Sequence, residues 1–277
     1  MGHGNTGLNA PLECPAAGHK HATMCGMNQH LFIVTGASRS MGLAMAQQLL
    51  QADHTLLCMS RQTNSSLAAQ AQASGAALIQ WPQDLADGAT AATRLSAWLD
   101  TLNGADYASA TLINNAGVIP RIVPLRDAVP ADLANALRVG LEAPMQLCAA
   151  FLASTADWPG VRKVLNISSG LGRRAMASQA AYCAAKAGLD HFTRCLALEE
   201  ALKPHGARVC ALAPGVIATD MQAQLRSADA AAFPDHAAFV NLRSNGQLTS
   251  PAEAASRILA FLQRPDFGEQ AVADVRA

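Results

Sequence analysis

This sequence predicts a three-layer α/β/α architecture, a single doubly wound parallel sheet between two layers of helices, and three observations carry the prediction. Short apolar runs of the buried parallel-strand type alternate with helical patterns from about residue 30 to the end. The first run enters a glycine-containing turn that opens directly into a helix. The chain has 277 residues, 51% hydrophobic and only 4% aromatic, which suffices for one large core and one main domain.

In order, Leu31-Phe32-Ile33-Val34 reads as the first strand, Thr35-Gly36-Ala37-Ser38-Arg39-Ser40-Met41-Gly42 as the turn and 43–50 as the first helix. Strand, glycine turn and helix together form the phosphate-binding arrangement of a Rossmann-type sheet, with backbone N–H groups and the helix amino end facing a pyrophosphate. Further strands are expected at 55–59, 76–81, 110–114, 161–167, 207–212 and 269–275. Helices are expected near 67–73, 89–102, 131–153, 180–202 and 251–262. Regular alternation implies right-handed crossovers and a ligand site at the carboxyl ends of the strands. Residues 221–248 are too many for a plain connection and are expected to form a helical lid over the site.

Residues 1–28 mix Gly, His, Pro and Cys without apolar periodicity and read as a disordered extension ahead of a domain at 29–277, with Met24 or Met27 as alternative starts. Cys14, His19, His21 and Cys25 match no common zinc spacing, so no metal site is expected. Formal net charge is zero and 14% of residues are charged, which leaves no electrostatic footprint for nucleic acid or anionic membrane. No stretch reads as long and apolar enough to span a bilayer. The seven cysteines are scattered without a Cys-x-x-Cys pair and read as small buried hydrophobes in a reducing, cytoplasmic setting.

The chemistry concentrates in Tyr182-Cys183-Ala184-Ala185-Lys186, which follows Asn166-Ile167-Ser168-Ser169-Gly170. Residues four apart on a helix share a face, so the Lys186 ammonium is expected beside the Tyr182 phenol, lowering its pKa toward a usable acid. Ser169, at the end of a strand, would donate a hydrogen bond to a carbonyl oxygen.

From about residue 29 onward the chain resembles the short-chain dehydrogenase/reductase family. The residues that carry the resemblance are Thr35-Gly36-x-x-x-Ser40-x-Gly42, Asn114-Asn115-Ala116-Gly117, Ser169 with Tyr182 and Lys186, and Pro214-Gly215 with Thr219. Within the family it looks closest to the benzil reductases that form (S)-benzoin, and more distantly like sepiapterin reductases, on Ala181-Tyr-Cys-Ala-Ala-Lys-Ala-Gly and Ala213-Pro-Gly-Val-Ile-Ala-Thr-Asp-Met. The resemblance implies catalysis by Ser169, Tyr182 and Lys186, with Tyr182 and Lys186 also touching the cofactor. It implies a nicotinamide dinucleotide held by Gly36, Ser38, Arg39, Ser40, Met41 and Gly42, with Asp84 and Leu85 at the adenine and Asn115 at the ribose. Pro214, Gly215, Ile217 and Thr219 would hold the nicotinamide. Ser60-Arg61 stands where an acidic residue would repel a 2′-phosphate, so Arg61 and Arg39 favour NADP(H).

Two departures from the family pattern stand out. Ser40 replaces the middle glycine of the turn and is expected in a backbone conformation that a residue with Cβ can adopt. Gly140 stands where the family usually has the Asn of a catalytic tetrad. Pro144, four residues on, has no N–H for the Gly140 carbonyl, so that carbonyl is expected to hold the relay water and the missing Asn side chain to cost little. Leu171, Met176 and Met221 are the expected apolar wall, which suits an aromatic or bulky 1,2-diketone, while Arg173 and Arg174 are expected to face solvent; pointing inward, they would suit an anionic substrate instead. The resulting expectation is an NADPH-dependent carbonyl reductase acting on a small-molecule ketone, as a homodimer or homotetramer. Reduction of a pterin side chain or another ketone, and NADPH sensing without turnover, are the alternatives.

Overall fold

The structure is a computed structural model that describes residues 29–276. The extension and the rejected zinc spacing at residues 1–28 lie outside the described residues. Seven parallel strands form one sheet: β1 (Gln29–Thr35), β2 (His54–Ser60), β3 (Ala77–Pro82), β4 (Tyr107–Asn114), β5 (Val161–Ile167), β6 (Arg208–Ala213) and β7 (Val272–Asp274). Their order is β3-β2-β1-β4-β5-β6-β7. The order reverses between β1 and β4, which opens a crevice above their carboxyl ends.

Alternation along the strands separates two cores. On one face Val34, Leu56, Leu165 and Leu212 pack with α1 (Ser40–Gln48), α2 (Ser65–Ser74) and α9 (Pro251–Leu262) through Met45, Leu67 and Ile258. On the other, Ile33, Leu57, Leu112 and Val164 pack with α3 (Gly88–Leu99), α5 (Ala143–Ser154) and α6 (Ala180–Ala201) through Leu95, Phe151 and Leu196. Neighbouring residues such as Ile33 and Val34 therefore serve opposite layers, as period-two side chains must. Each fully buried Leu or Ile contributes about 1.5–3 kcal/mol relative to exposure. Local signals set the helix ends. Asn64 accepts the Leu67 N–H at 3.0 Å at the start of α2, and Gly75, at φ +74°, ends that helix.

Outside the cleft, the structure departs from the sequence expectations at four places. The helix expected over 131–153 is α4 (Pro130–Leu137), a π-helical turn (Arg138–Glu142) and then α5. Pro144 cannot complete the ordinary hydrogen-bond ladder, and the wider turn lets the Ala143 N–H reach the Arg138 carbonyl instead. The same helical stretch, Pro130–Ser154, is long and apolar enough to cross a membrane by length and composition, contrary to expectation, yet half of its apolar window is buried in this fold. The last strand is only three residues long, because Gly268, at φ +91°, turns the chain just before it. Of the cysteines, Cys58, Cys148 and Cys210 are buried and burial pushes each thiol up to about 12, but Cys195 is exposed. The expected lid exists as α7 (Asp220–Arg226) and α8 (His236–Ser244).

Candidate active site

The carboxyl ends of β1, β2, β4, β5 and β6, together with the lid, enclose a cleft of about 1130 Å³. At its floor the chain leaves β1 through Gly36, at φ +68°, where a Cβ would lie 3.0 Å from the Ala116 Cα. At Gly42 a Cβ would meet the Gly36 carbonyl at 2.1 Å, so α1 can sit against the turn only because this residue has none. Asn115, expected to line the ribose, lines the cleft but also anchors the turn: its Nδ2 donates to the Thr35 carbonyl at 2.8 Å and to the Gly36 carbonyl at 3.3 Å. Thr35 Oγ1 in turn accepts the Asn115 and Ala116 N–H groups at 2.9 and 3.0 Å, which ties the end of β4 to that of β1.

Ser40 corrects an expectation. Its φ is +52°, in the left-handed region that favours glycine and costs a residue with Cβ about 1–2 kcal/mol. Its Oγ is buried and has no hydrogen-bond partner among the described residues. The Ser60 Oγ is orphaned in the same way, and both serines line the cleft. Buried hydroxyls without partners are rare in folded chains. Two at the turn and at the end of β2 fit a bound dinucleotide whose phosphate and ribose oxygens would satisfy them. Ser38, Arg39 and Met41 line the same floor, with Arg61 beyond β2 and Asp84 and Leu85 beyond β3. One Asp84 oxygen accepts the Ala86 N–H at 3.0 Å. Arg39 is paired, its guanidinium 3.1 Å from the Asp220 carboxylate at the start of α7.

At the other end, Pro214 and Gly215 leave β6, Gly215 with φ +84°. Ile217 pairs with Thr249 in an isolated bridge, which holds this segment beside the cleft, and Thr219 stands at the start of α7 without a capping hydrogen bond from its side chain. Ser169 follows β5, and its Oγ accepts the Leu171 N–H at 3.2 Å, leaving its own proton to donate. Tyr182 and Lys186 stand one turn apart on α6, both buried. The Lys186 ammonium donates to the Ile167 carbonyl at 2.7 Å and lies 5.8 Å from the centre of the Tyr182 ring. Ser169, Tyr182 and Lys186 thus converge, as expected.

The expected pKa logic does not hold in this arrangement. Burial pushes the Tyr182 phenol above its ordinary value and outweighs the lowering effect of its hydrogen bond with Ser169. Burial also brings Lys186 down to about 8, although the Asp190 carboxylate pulls it upward. At neutral pH the site therefore holds a protonated phenol and an ammonium close to its own titration, which suits proton delivery to a developing oxyanion.

Leu171, Met176 and Met221 do form the apolar wall, joined by Ile119, Leu225 and Phe239. Sequence reasoning missed the last three, although the apolar spacing within the lid was the signal that could have found Leu225 and Phe239. Arg173 turns away from the cleft to within 3.7 Å of the Asp190 carboxylate, while Arg174 lines the rim 3.9 Å from Asp235. Arg276, close to the end of the chain, was also missed. It lines the cleft while its guanidinium pairs with both Asp274 oxygens at 2.8 and 2.7 Å. Among the described residues no three His, Cys, Asp or Glu side chains converge as metal ligands.

Comparison with known proteins agrees with this geometry. A family model described as short chain dehydrogenase matches residues 30–230. A benzil reductase ((S)-benzoin forming) of Bacillus cereus is 34% identical over 235 residues, which is 85% of this chain and 94% of that one. A sepiapterin reductase of Bos taurus is 29% identical over 255 residues, covering 87% of this chain and 92% of its own. Among solved structures, a putative 2-deoxy-d-gluconate 3-dehydrogenase from Agrobacterium tumefaciens with bound NADP is 27% identical. It superposes with a TM-score of 0.71 over 89% of this chain and 94% of its own.

Proposed function

The chain belongs to the short-chain dehydrogenase family, and from that premise we propose that it is an NADPH-dependent carbonyl reductase acting on an aromatic or bulky 1,2-diketone to give an α-hydroxy ketone. The family fixes the coarser statement: the protein is an oxidoreductase that works with a nicotinamide cofactor. The observation that carries the finer one is the convergence of Ser169, Tyr182 and Lys186 at the bottom of a cleft walled by Leu171, Met176, Met221 and Phe239. A wall of this kind suits flat or bulky apolar groups, and the few polar groups beside it orient the reacting carbonyl.

When bound, the reduced cofactor supplies hydride to the carbonyl carbon. Ser169 donates a hydrogen bond that orients and polarises the carbonyl oxygen. Tyr182, kept protonated by burial, gives its proton to that oxygen as charge develops. Lys186 stabilises the phenolate left behind and is placed to help return a proton to it. Gly36, Ser40, Gly42 and the amino end of α1 would cradle the pyrophosphate, with Asp84 and Leu85 at the adenine and Pro214 to Thr219 at the nicotinamide. Arg61 and Arg39 would hold the 2′-phosphate. Exposed Leu137, Met145 and Leu198 on α4, α5 and α6, with Leu202 just past the end of α6, support self-association as a homodimer or homotetramer, and the free cysteines among the described residues support a cytoplasmic setting.

Oxidation of NADPH followed by absorbance across a panel of benzil, other diketones, sepiapterin and simple ketones tests this reading. Benzil-like diketones are expected to be the best substrates, with NADPH preferred over NADH. Turnover confined to the pterin would favour the alternative reduction, and no turnover on any carbonyl would overturn the reading.

A further inference from the structure

Asp190 is a buried carboxylate that the mechanism above does not use. It is 1% exposed, one turn beyond Lys186 on α6, so that Tyr182, Lys186 and Asp190 share a single helix face. One of its oxygens accepts the Ser168 hydroxyl, and Ser168 immediately precedes Ser169. The other oxygen has no hydrogen-bond partner among the described residues and lies 3.7 Å from the Arg173 guanidinium. Arg173 in turn reaches the Ala273 carbonyl on β7 at 3.4 Å. The turn at Gly170–Gly172 lies tight against this carboxylate, since a Cβ at Gly172 would come within 2.8 Å of it.

We propose that Asp190 is a positioning residue for the reaction: through Ser168 it fixes the strand end that presents Ser169, and through Arg173 it fixes the turn that walls the substrate pocket. Leaving a carboxylate buried is costly unless it is paired, and here its partners sit immediately beside the reacting groups. The charged and titratable groups that face it are Arg173 from the turn, Lys186 on its own helix and Cys210 on β6. Asp274 beyond them is reached through Arg173. Of these, Lys186 is the one the reaction uses, and the carboxylate holds its ammonium against the effect of burial.

The proposal rests on the carbonyl-reductase reading, and the test separates the two. Asp190→Asn keeps the volume and removes the charge. The variant should fold and bind NADPH with affinity within about threefold of wild type, yet lose at least about tenfold in kcat, equivalent to 1.4 kcal/mol in the barrier. In protein labelled with 13Cε-lysine, where Lys20, Lys163, Lys186 and Lys203 are the lysines, the Lys186 resonance should titrate at lower pH than in wild type. Wild-type kcat with an unmoved Lys186 midpoint would overturn the proposal. So would a loss of activity in folded protein matched by an equal loss of NADPH affinity. Should Asp190→Asn fail to fold, or lower kcat without moving the midpoint, Ser168→Ala decides: it should lower kcat several-fold at unchanged NADPH affinity, and wild-type kcat would reject the proposal. Tyr182→Phe is assayed in parallel. If it loses turnover while Asp190→Asn keeps it, the positioning role alone fails; if both keep it, the reductase reading fails and the proposal with it.

Discussion

Tyr182 is held as an acid by burial, since the phenol is pushed above its ordinary value and stays protonated through neutral pH. Tyr182→Phe removes the donor with little change in packing, so kcat should fall at least about a hundredfold with NADPH binding little altered, as stopped-assay turnover and fluorescence titration would read. Lys186 gives the pH dependence. Burial favours the neutral amine and brings its pKa to about 8, so the ammonium persists below that value and is lost above it. The rate of carbonyl reduction at saturating NADPH should therefore be level at lower pH and decline as pH rises past about 8; a rate that climbs through this range would contradict the role given to the ammonium. Ser40 offers a test in which two effects have opposite signs. Ser40→Ala keeps the left-handed strain but removes a buried hydroxyl without a partner, so the protein free of cofactor should gain about 1 kcal/mol in stability. NADPH affinity should fall. A lower Tm in the absence of cofactor would show that the hydroxyl is already satisfied.

The interrupted helix around Gly140 shows what pattern reading can and cannot reach. Apolar spacing alone indicates a helix across 131–153, and Pro144 signals a disturbance within it, but a proline can be accommodated by a kink, a break or a wider turn. Packing against α6 selects the π-helical turn, in which Gly140 is buried and a Cβ there would lie 3.1 Å from the Ala185 Cβ. A side chain here would press on α6 through its Cβ, so the glycine serves a close approach of two elements. Gly140→Ala should cost about 1–3 kcal/mol through overpacking, and it should reduce turnover because α6 carries Lys186 beside Ala185. Thermal denaturation and kcat read the two effects; a variant as stable and active as wild type would mean that the neighbouring helix yields freely.

Across the whole molecule, the cofactor cleft is closed by interactions between segments distant in the chain. Arg39 of the glycine turn pairs with Asp220 of the lid, both largely exposed, so the pair itself adds little stability. Its importance is for charge. Arg39 and Arg61 replaced together by Ala should weaken NADPH binding by about 1–3 kcal/mol for each charge-assisted hydrogen bond to the phosphate that disappears, with NADH little changed. Asp220→Asn should do the reverse, tightening NADPH but not NADH, because it frees Arg39 and removes a negative charge near the expected 2′-phosphate. Calorimetric titration with both cofactors checks each variant, and parallel changes for NADPH and NADH would show that these groups do not read the phosphate.

What the sequence by itself determined is the set of properties that depend on nearby residues. Short apolar runs and helical spacing specified most strands and helices, β5 and α9 to the residue, and Tyr182 with Lys186 followed from a four-residue helical interval. The turn at Gly36 to Gly42 was legible because its glycines answer to local backbone geometry. Tertiary structure alone decided the properties that arise where separate segments meet. It turned Arg173 toward Asp190, brought Arg276 into the cleft, built a wall from Phe239 and Leu225, and set Tyr182 and Lys186 in a buried environment where desolvation outweighs the Ser169 hydrogen bond on one and the Asp190 charge on the other. The physical reason is that burial and field are sums over everything packed around a group, and those neighbours lie too far away along the chain for any local spacing to encode them.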